Sequence, residues 1–148
     1  MFVLFKKPHI YADVLQVTSR CAICGIYGHS FFATIRKSDG SFIGHCGLLR
    51  QEIEGEQEIE LAYVLAKEYW QQGLAFEGIL ALKNFGFQQF GFSRIVSLIP
   101  PGNHASMHFA EKIGTHYDRD VDQWGQHFRL FVVQQPRTQA ETIPLGTK

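Results

Sequence analysis

Between the run Tyr63-Val64-Leu65 and a stretch of helical periodicity stand Trp70, Gln71, Gln72 and Gly73. Glycine at a strand-to-helix turn lets the backbone approach a ligand closely. The first amides of the helix that follows have no intrahelical acceptor and lie at the positive end of its dipole. Both features suit an anion such as a phosphate. By itself a glycine loop is also explained by simple clearance between a strand and a helix. Other reactive groups are fewer. Cys21 and Cys24 form one CxxC with no second pair and no HxxxH, so a closed zinc site lacks ligands and no metal is expected. His127 would titrate in a useful range, although a lone histidine before a strand is more often structural.

These residues need elements to hold them. "FFATIRK" and "SFIGHCGLL" are β-rich runs flanking Ser38-Asp39-Gly40, a hairpin turn whose Asp-Gly pair suits positive φ. Across "RQEIEGEQ" a further strand, "EIELAYVL", alternates at Ile59, Leu61 and Tyr63, which completes a three-stranded meander. From Gly73 to about Phe90, Leu74, Ile79, Leu82, Phe85 and Phe87 fall near helical spacing. Gly78 and Gly86 weaken that helix by up to ~1 kcal/mol each relative to alanine. "RIVSLI" is a continuous apolar strand that stops at Pro100-Pro101-Gly102. A second helix starts after Asn103, a good cap, and runs through "ASMHFAEKI" to Gly114. "HFRLFVV" is the final strand, and the tail from Pro136 reads as a polar, mobile end. The first thirty residues lack a period and are expected to hold a short strand or helix. The order βββ, α, β, α, β predicts an α+β domain: a mixed, mostly antiparallel central sheet in which a β-meander is followed by α-β-α-β.

At 148 residues the chain has the length of one domain, and 45% hydrophobic with 19% charged residues is an ordinary globular composition. Fourteen basic residues balance fourteen acidic ones, so no positive field points to nucleic acid or an anionic membrane. Three cysteines, an odd count without scaffold density, suit a reducing cytoplasm. The apolar residues 2–5 stop at Lys6-Lys7-Pro8, far short of a spanning helix or a signal peptide.

Four stretches in order, "SDGSFIGHCGL", "EIELAYVLAKEYWQQGLAFEG", "LIPPGNHAS" and "FAEKIG", resemble the GNAT superfamily of acyl-CoA-dependent N-acyltransferases, most closely its RimJ/RimL-type branch. The resemblance covers about residues 31 to 133 and rests on order and spacing. It implies acetyl-CoA as co-substrate, with Trp70, Gln71, Gln72, Gly73, Leu74, Ala75 and Phe76 forming the loop that wraps the pyrophosphate. The family's loop usually has glycine at position 71, a basic residue at 72 and a hydroxyl residue at 76. Here Gln71, Gln72 and Phe76 stand instead. The resemblance also places Tyr63, Val64 and Leu65 beside the pantetheine arm, in a strand that splays from "RIVSLI". An amide near Val64 or Leu65 would then hold the oxyanion. Asn103 and Ser106 fall where family members touch the cofactor, while by local physics Asn103 is a helix cap.

Acetyl transfer to an amine needs a base, a stabilised oxyanion and a proton for the thiolate. The resemblance makes Glu60 the base, a residue that could equally be an exposed strand glutamate beside Glu58. Many family members protonate the thiolate with a tyrosine of the second helix, where this chain has Ala110. Ser106 is then the candidate acid, as in the RimL-type branch. Asp120, Asp122 and His127 are alternative base positions.

The implied activity is acetyl transfer from acetyl-CoA to a primary amine, either a protein N terminus or a small molecule, by direct attack in a ternary complex. The alternative is a catalytically degenerate module that binds acyl-CoA or another protein. Residues 1–30 are an abbreviated or repurposed N-terminal segment, an edge strand or a dimer contact. Residues 31–135 form the acyltransferase domain and residues 136–148 the tail. A homodimer is expected from the apolar face that missing helices would leave.

Overall fold

The computed structural model describes the backbone of residues 14–18 and the whole of residues 31–135. Cys21, Cys24 and the tail from Pro136 lie outside the described residues. Seven strands form one sheet in the order β1-β2-β3-β4-β5-β7-β6. They are β1 (Val14–Thr18), β2 (Phe31–Arg36), β3 (Phe42–Ile53), β4 (Glu56–Leu65), β5 (Arg94–Ile99), β6 (His116–Gln123) and β7 (Gln126–Gln134). Two helices accompany them, α1 (Leu74–Gln89) and α2 (His104–Lys112), and a short 3-10 helix, Lys67–Tyr69, precedes α1. Only β4 and β5 run parallel, so the expected mixed and mostly antiparallel α+β sheet is found.

Two strands flank the expected order: β1 falls where a short strand or helix was expected among the first thirty residues, and β6 is additional. β1 pairs with β2 at one edge, from Val14↔Arg36 to Thr18↔Phe32. β6, "HYDRDVDQ", pairs with β7 at the other, through a tight turn in which Trp124 (φ 50°) and Gly125 (φ 72°) are both left-handed. β6 has little apolar signal because it is an edge strand, where charge discourages pairing with other chains. Val121 is its one buried residue. The β3–β4 hairpin is also longer than expected. "RQEIEGEQ" is ladder up to Ile53↔Glu56, and Glu54 (φ 51°) and Gly55 (φ 85°) make a two-residue turn of the primed type. In the β2–β3 turn Gly40 alone takes positive φ (74°), and Asp39 instead accepts from the Ser41 amide.

Both helices pack on the face that β5 presents with Ile95 and Ile99. Leu48, Leu61, Ile79, Leu82, Ile95 and Ile113 form the main cluster there, and Ile99, Met107, Ala110 and Phe131 a second beneath α2. The opposite face buries Ile53, Val96, Val121, Phe128, Leu130 and Val132. Gly86, a cost to α1 on propensity alone, has a packing reason: a Cβ there would lie 3.0 Å from Leu48 Cδ1 and 3.2 Å from Ile95 Cδ1. Lys83 is buried as well and donates to the Ile113 carbonyl, tying α1 to the end of α2.

Candidate active site

The loop into α1 has the backbone of a donor cradle. Gly73 caps the helix in a left-handed conformation (φ 78°) with no side-chain cap, and the first intrahelical bond is Glu77 N–H to Gly73 O, 3.1 Å. The amides of Leu74, Ala75 and Phe76 therefore have no acceptor within the helix. Gln71, where glycine was the family expectation, holds a left-handed φ of 61°, so the loop keeps the shape with a residue that takes it at a cost. Gln72 donates to the Glu68 carbonyl (2.8 Å), and the exposed Trp70 donates its indole N–H to Leu65 O (2.9 Å). Phe76 packs against the main core, with Lys112 Nζ 5.4 Å from its ring centre. A cation from the end of α2 thus stands near the first turn of α1.

β4 and β5 share a single paired position, Glu60↔Val96. The register with β3 shows which backbone groups face the resulting gap. Ala66 N–H bonds Ile43 O (2.9 Å), and Leu65 lies opposite Gly44. Antiparallel pairs alternate, so the amides of Val64 and Ala66 point to β3 while those of Tyr63 and Leu65 point to the β5 side. Of the two amides expected near the oxyanion, Leu65 faces the gap and Val64 does not.

Two side chains take over where the ladder stops. A regular parallel ladder would next join the Leu98 amide to the Leu61 carbonyl. Instead Ser97 Oγ donates to Leu61 O (2.9 Å) and the Leu98 amide donates to the Glu60 carboxylate. The Leu61 carbonyl and the Leu98 amide thus keep partners where the ladder stops, while the Tyr63 and Leu65 amides are left facing the gap.

A family model described as an acetyltransferase (GNAT) domain matches residues 11–116. The chain belongs to the GNAT acetyltransferases. It is 36% identical over 105 residues to the uncharacterized protein YkkB of Bacillus subtilis (strain 168), covering 71% of this chain and 61% of that protein. It is 29% identical over 83 residues to the uncharacterized N-acetyltransferase YnaD of the same organism, covering 56% of this chain and 48% of YnaD. The chain thus spans roughly half to three-fifths of these relatives' length. Among solved structures it is similar in fold to an acetyltransferase from Agrobacterium tumefaciens, with TM-score 0.66, 24% identity and 77% and 66% of the two chains covered. It also resembles a ribosomal-protein-S5-alanine acetyltransferase from Vibrio fischeri, with TM-score 0.64, 14% identity and 85% and 80% covered.

In this GNAT domain, α2 begins at Asn103, whose Oδ1 accepts the Ser106 amide at 3.1 Å. The cap reading of Asn103 is therefore realised, and it fixes Ser106 in the first turn. Ala110 is packed beneath α2 among Ile99, Met107 and Phe131. Glu60 is 8% exposed and Glu58 7%, so neither is the exposed strand glutamate that composition favours. Glu58 is held by Arg94 Nε (2.9 Å), and Glu60 accepts from Gln51 Nε2 (3.0 Å) and the Leu98 amide. Burial pushes the Glu60 carboxyl above its usual range, and these two hydrogen bonds pull it part of the way back. Strand alternation puts Glu60 on the face of Val96 and Tyr63 on the helix face, so the two flank the gap from opposite sides.

His127 lies exposed on the β6–β7 hairpin between Asp122 (2.9 Å) and Asp120 (3.4 Å). The Asp122 hydrogen bond, then the Asp120 carboxylate, raise its pKa and favour the charged form, which is a poor base. A cleft of about 510 Å³ lined by Glu56, Glu58, Arg94 and Arg119 opens at the start of β4, the opposite end from the loop. Its arginines are paired with Glu58, Asp118 and Glu54. The sequence alone did not show that Lys112 would stand over the Phe76 ring or that Tyr63 would pack on Phe109, since both contacts join elements distant in the chain.

Proposed function

We propose that this protein transfers an acetyl group from acetyl-CoA to a primary amine, a protein N terminus or a small molecule, by direct attack in a ternary complex. The observation behind the reading is the parted β4–β5 pair next to an uncapped helix start. The amides of Leu74, Ala75 and Phe76, with Lys112, bind the diphosphate. The β4 edge at Tyr63 and Leu65 pairs with the pantetheine arm as an added strand would. The Leu65 amide faces the reacting carbonyl oxygen, and Glu60 accepts the amine's proton from the other face. Among the described residues no helix is long and apolar enough to cross a membrane. The proposed setting is the cytoplasm, and the proposed branch is RimJ/RimL-like.

One observation favours a second reading. Glu60 is already bonded to Gln51 and Leu98, so it could hold the gap open without taking a proton, in a module that binds acyl-CoA without turnover. Thiol release from acetyl-CoA over a panel of amines separates the two. Release with at least one amine is expected. Tight binding of coenzyme A with no release on any amine rejects the enzyme reading.

Lys112→Ala tests the loop. Loss of one exposed cation near a phosphate removes about 1 kcal/mol, or about a fivefold loss of affinity for coenzyme A, at low salt. The difference from the parent protein should shrink as ionic strength rises, because exposed charges are screened. Titration calorimetry at two salt concentrations checks it, and equal affinities at low salt would remove Lys112 from the site.

A further inference from the structure

We propose that the Tyr63 phenol, working with the Ser106 hydroxyl, is the proton donor to the departing thiolate. The assignment rests on the acetyl-transfer reading above.

Four observations lead to it. The Tyr63 hydroxyl is buried with no partner at hydrogen-bonding geometry, a state shared among the described residues only with Thr115 Oγ1. The ring is held against Phe109 of α2, with centroids 4.9 Å apart and planes at 49°. The Ser106 hydroxyl, on the helix turn that Asn103 pins, is the one side chain that acts on the phenol's proton, favouring its release against the larger opposing effect of burial. Tyr63 also lies beyond the last paired position of β4 with β5, so the two hydroxyls span from the parted strand to α2 at the helix side of the gap.

A buried hydroxyl without a partner is destabilising and rare in native structures. It makes sense where the missing partner is a ligand atom met during turnover. Burial also raises the phenol's pKa, which keeps the proton in place until an anion forms beside it. Ala110 has no proton to give. The step balances: the bond from the amine nitrogen to the acyl carbon forms, the carbon–sulfur bond breaks, and sulfur takes the phenolic proton. The proton lost by the amine returns to the phenolate through solvent and Ser106.

Tyr63→Phe keeps the ring on Phe109 and deletes only the unpartnered oxygen, so the melting temperature should be unchanged or higher. The parent protein should bind coenzyme A more tightly than its desulfo analogue, by about threefold to tenfold for one hydrogen bond to sulfur, and Tyr63→Phe should bind both alike. With an amine that turns over, Tyr63→Phe should lower kcat about a hundredfold, the lower end for a general acid, while KM for acetyl-CoA stays within about twofold. Ser106→Ala should lower kcat less, with the same direction of change in thiol preference. If Tyr63→Phe retains both kcat and the preference for the thiol, the assignment is wrong, while the acetyl-transfer reading stands. If the parent protein neither binds coenzyme A nor releases thiol, both fall together.

Discussion

Glu60→Gln should abolish most turnover while making the folded protein more stable at neutral pH. The two effects share one cause. The carboxylate sits in a buried strand position beside the gap, and burial raises its pKa. A raised carboxyl means that the native state binds the proton more tightly than the unfolded chain does. Its contribution to stability is therefore most favourable at acid pH, below the usual carboxylate range, and declines as pH rises through the folded pKa. Glutamine removes the titration but keeps the shape: its carbonyl can accept the Leu98 amide, and Gln51 can turn its own amide to match. Urea unfolding of both proteins from acid to neutral pH should show the variant gaining relative to the parent as pH rises. A general base contributes about a hundredfold to ten-thousandfold, so kcat should drop by at least about a hundredfold, with affinity for coenzyme A preserved. Full retention of kcat would make Glu60 a spacer between strands and leave the acceptor's proton to another group.

The contrast with Glu60→Ala sharpens this. Alanine would also release the Leu98 amide, and β4 and β5 could then zip one step further through Leu98 N–H and Leu61 O. Loss of coenzyme A binding in the alanine variant but not in the glutamine variant would show that the same side chain both opens the gap and takes the proton.

Much of this architecture was legible in the residues because local and long-range signals agreed. The periodicity around Leu74, Ile79 and Leu82, the Asn103 cap and the Gly114 stop all fix their elements, and Gly114 indeed closes α2 at φ 89°. β6 was not legible, because an edge strand needs charge more than apolar alternation and Asp118, Asp120 and Asp122 read as loop. The extension of the β3–β4 hairpin was missed for a related reason: Ile53 is a lone buried residue among glutamates, and its pairing depends on the Glu54-Gly55 turn. In the candidate site, backbone conformation was readable and side-chain contacts were not. The loop at Gly73 follows from local conformation alone, whereas the gap depends on Glu60 and Ser97 intercepting a ladder between strands 36 residues apart in sequence. The burial of Glu60, the facing of Tyr63 and Ser106, and the approach of Lys112 to Phe76 all arise from packing between distant elements. No spacing rule in a single sequence reports such contacts.

Gly44→Ala should be the most destabilising single methyl addition in the sheet, and should weaken coenzyme A binding although Gly44 itself does not line the gap. Gly44 has φ 153° and lies opposite Leu65 across the β3–β4 ladder. An added Cβ would fall 2.2 Å from the Val64 carbonyl oxygen and 2.8 Å from Leu65 Cα, both backbone atoms with no rotamer to escape into. Relief requires β3 and β4 to part at their ends, against the β2–β3 irregularity at Thr34 and Ile35 on one side and the Ala66 amide bond to Ile43 on the other. Overpacking of this kind costs about 1–3 kcal/mol, and the upper end is expected because the clash is with main chain. Parting the strands also moves the Leu65 amide and carbonyl, the latter anchoring the Trp70 indole at the start of the loop. Stability and affinity should therefore fall together in this variant, measured by urea unfolding and by calorimetry with coenzyme A. In Lys112→Ala affinity should fall alone. A destabilised Gly44→Ala protein that binds coenzyme A as tightly as the parent would show that the end of β4 does not hold the ligand, and would move the arm-binding surface elsewhere on the sheet.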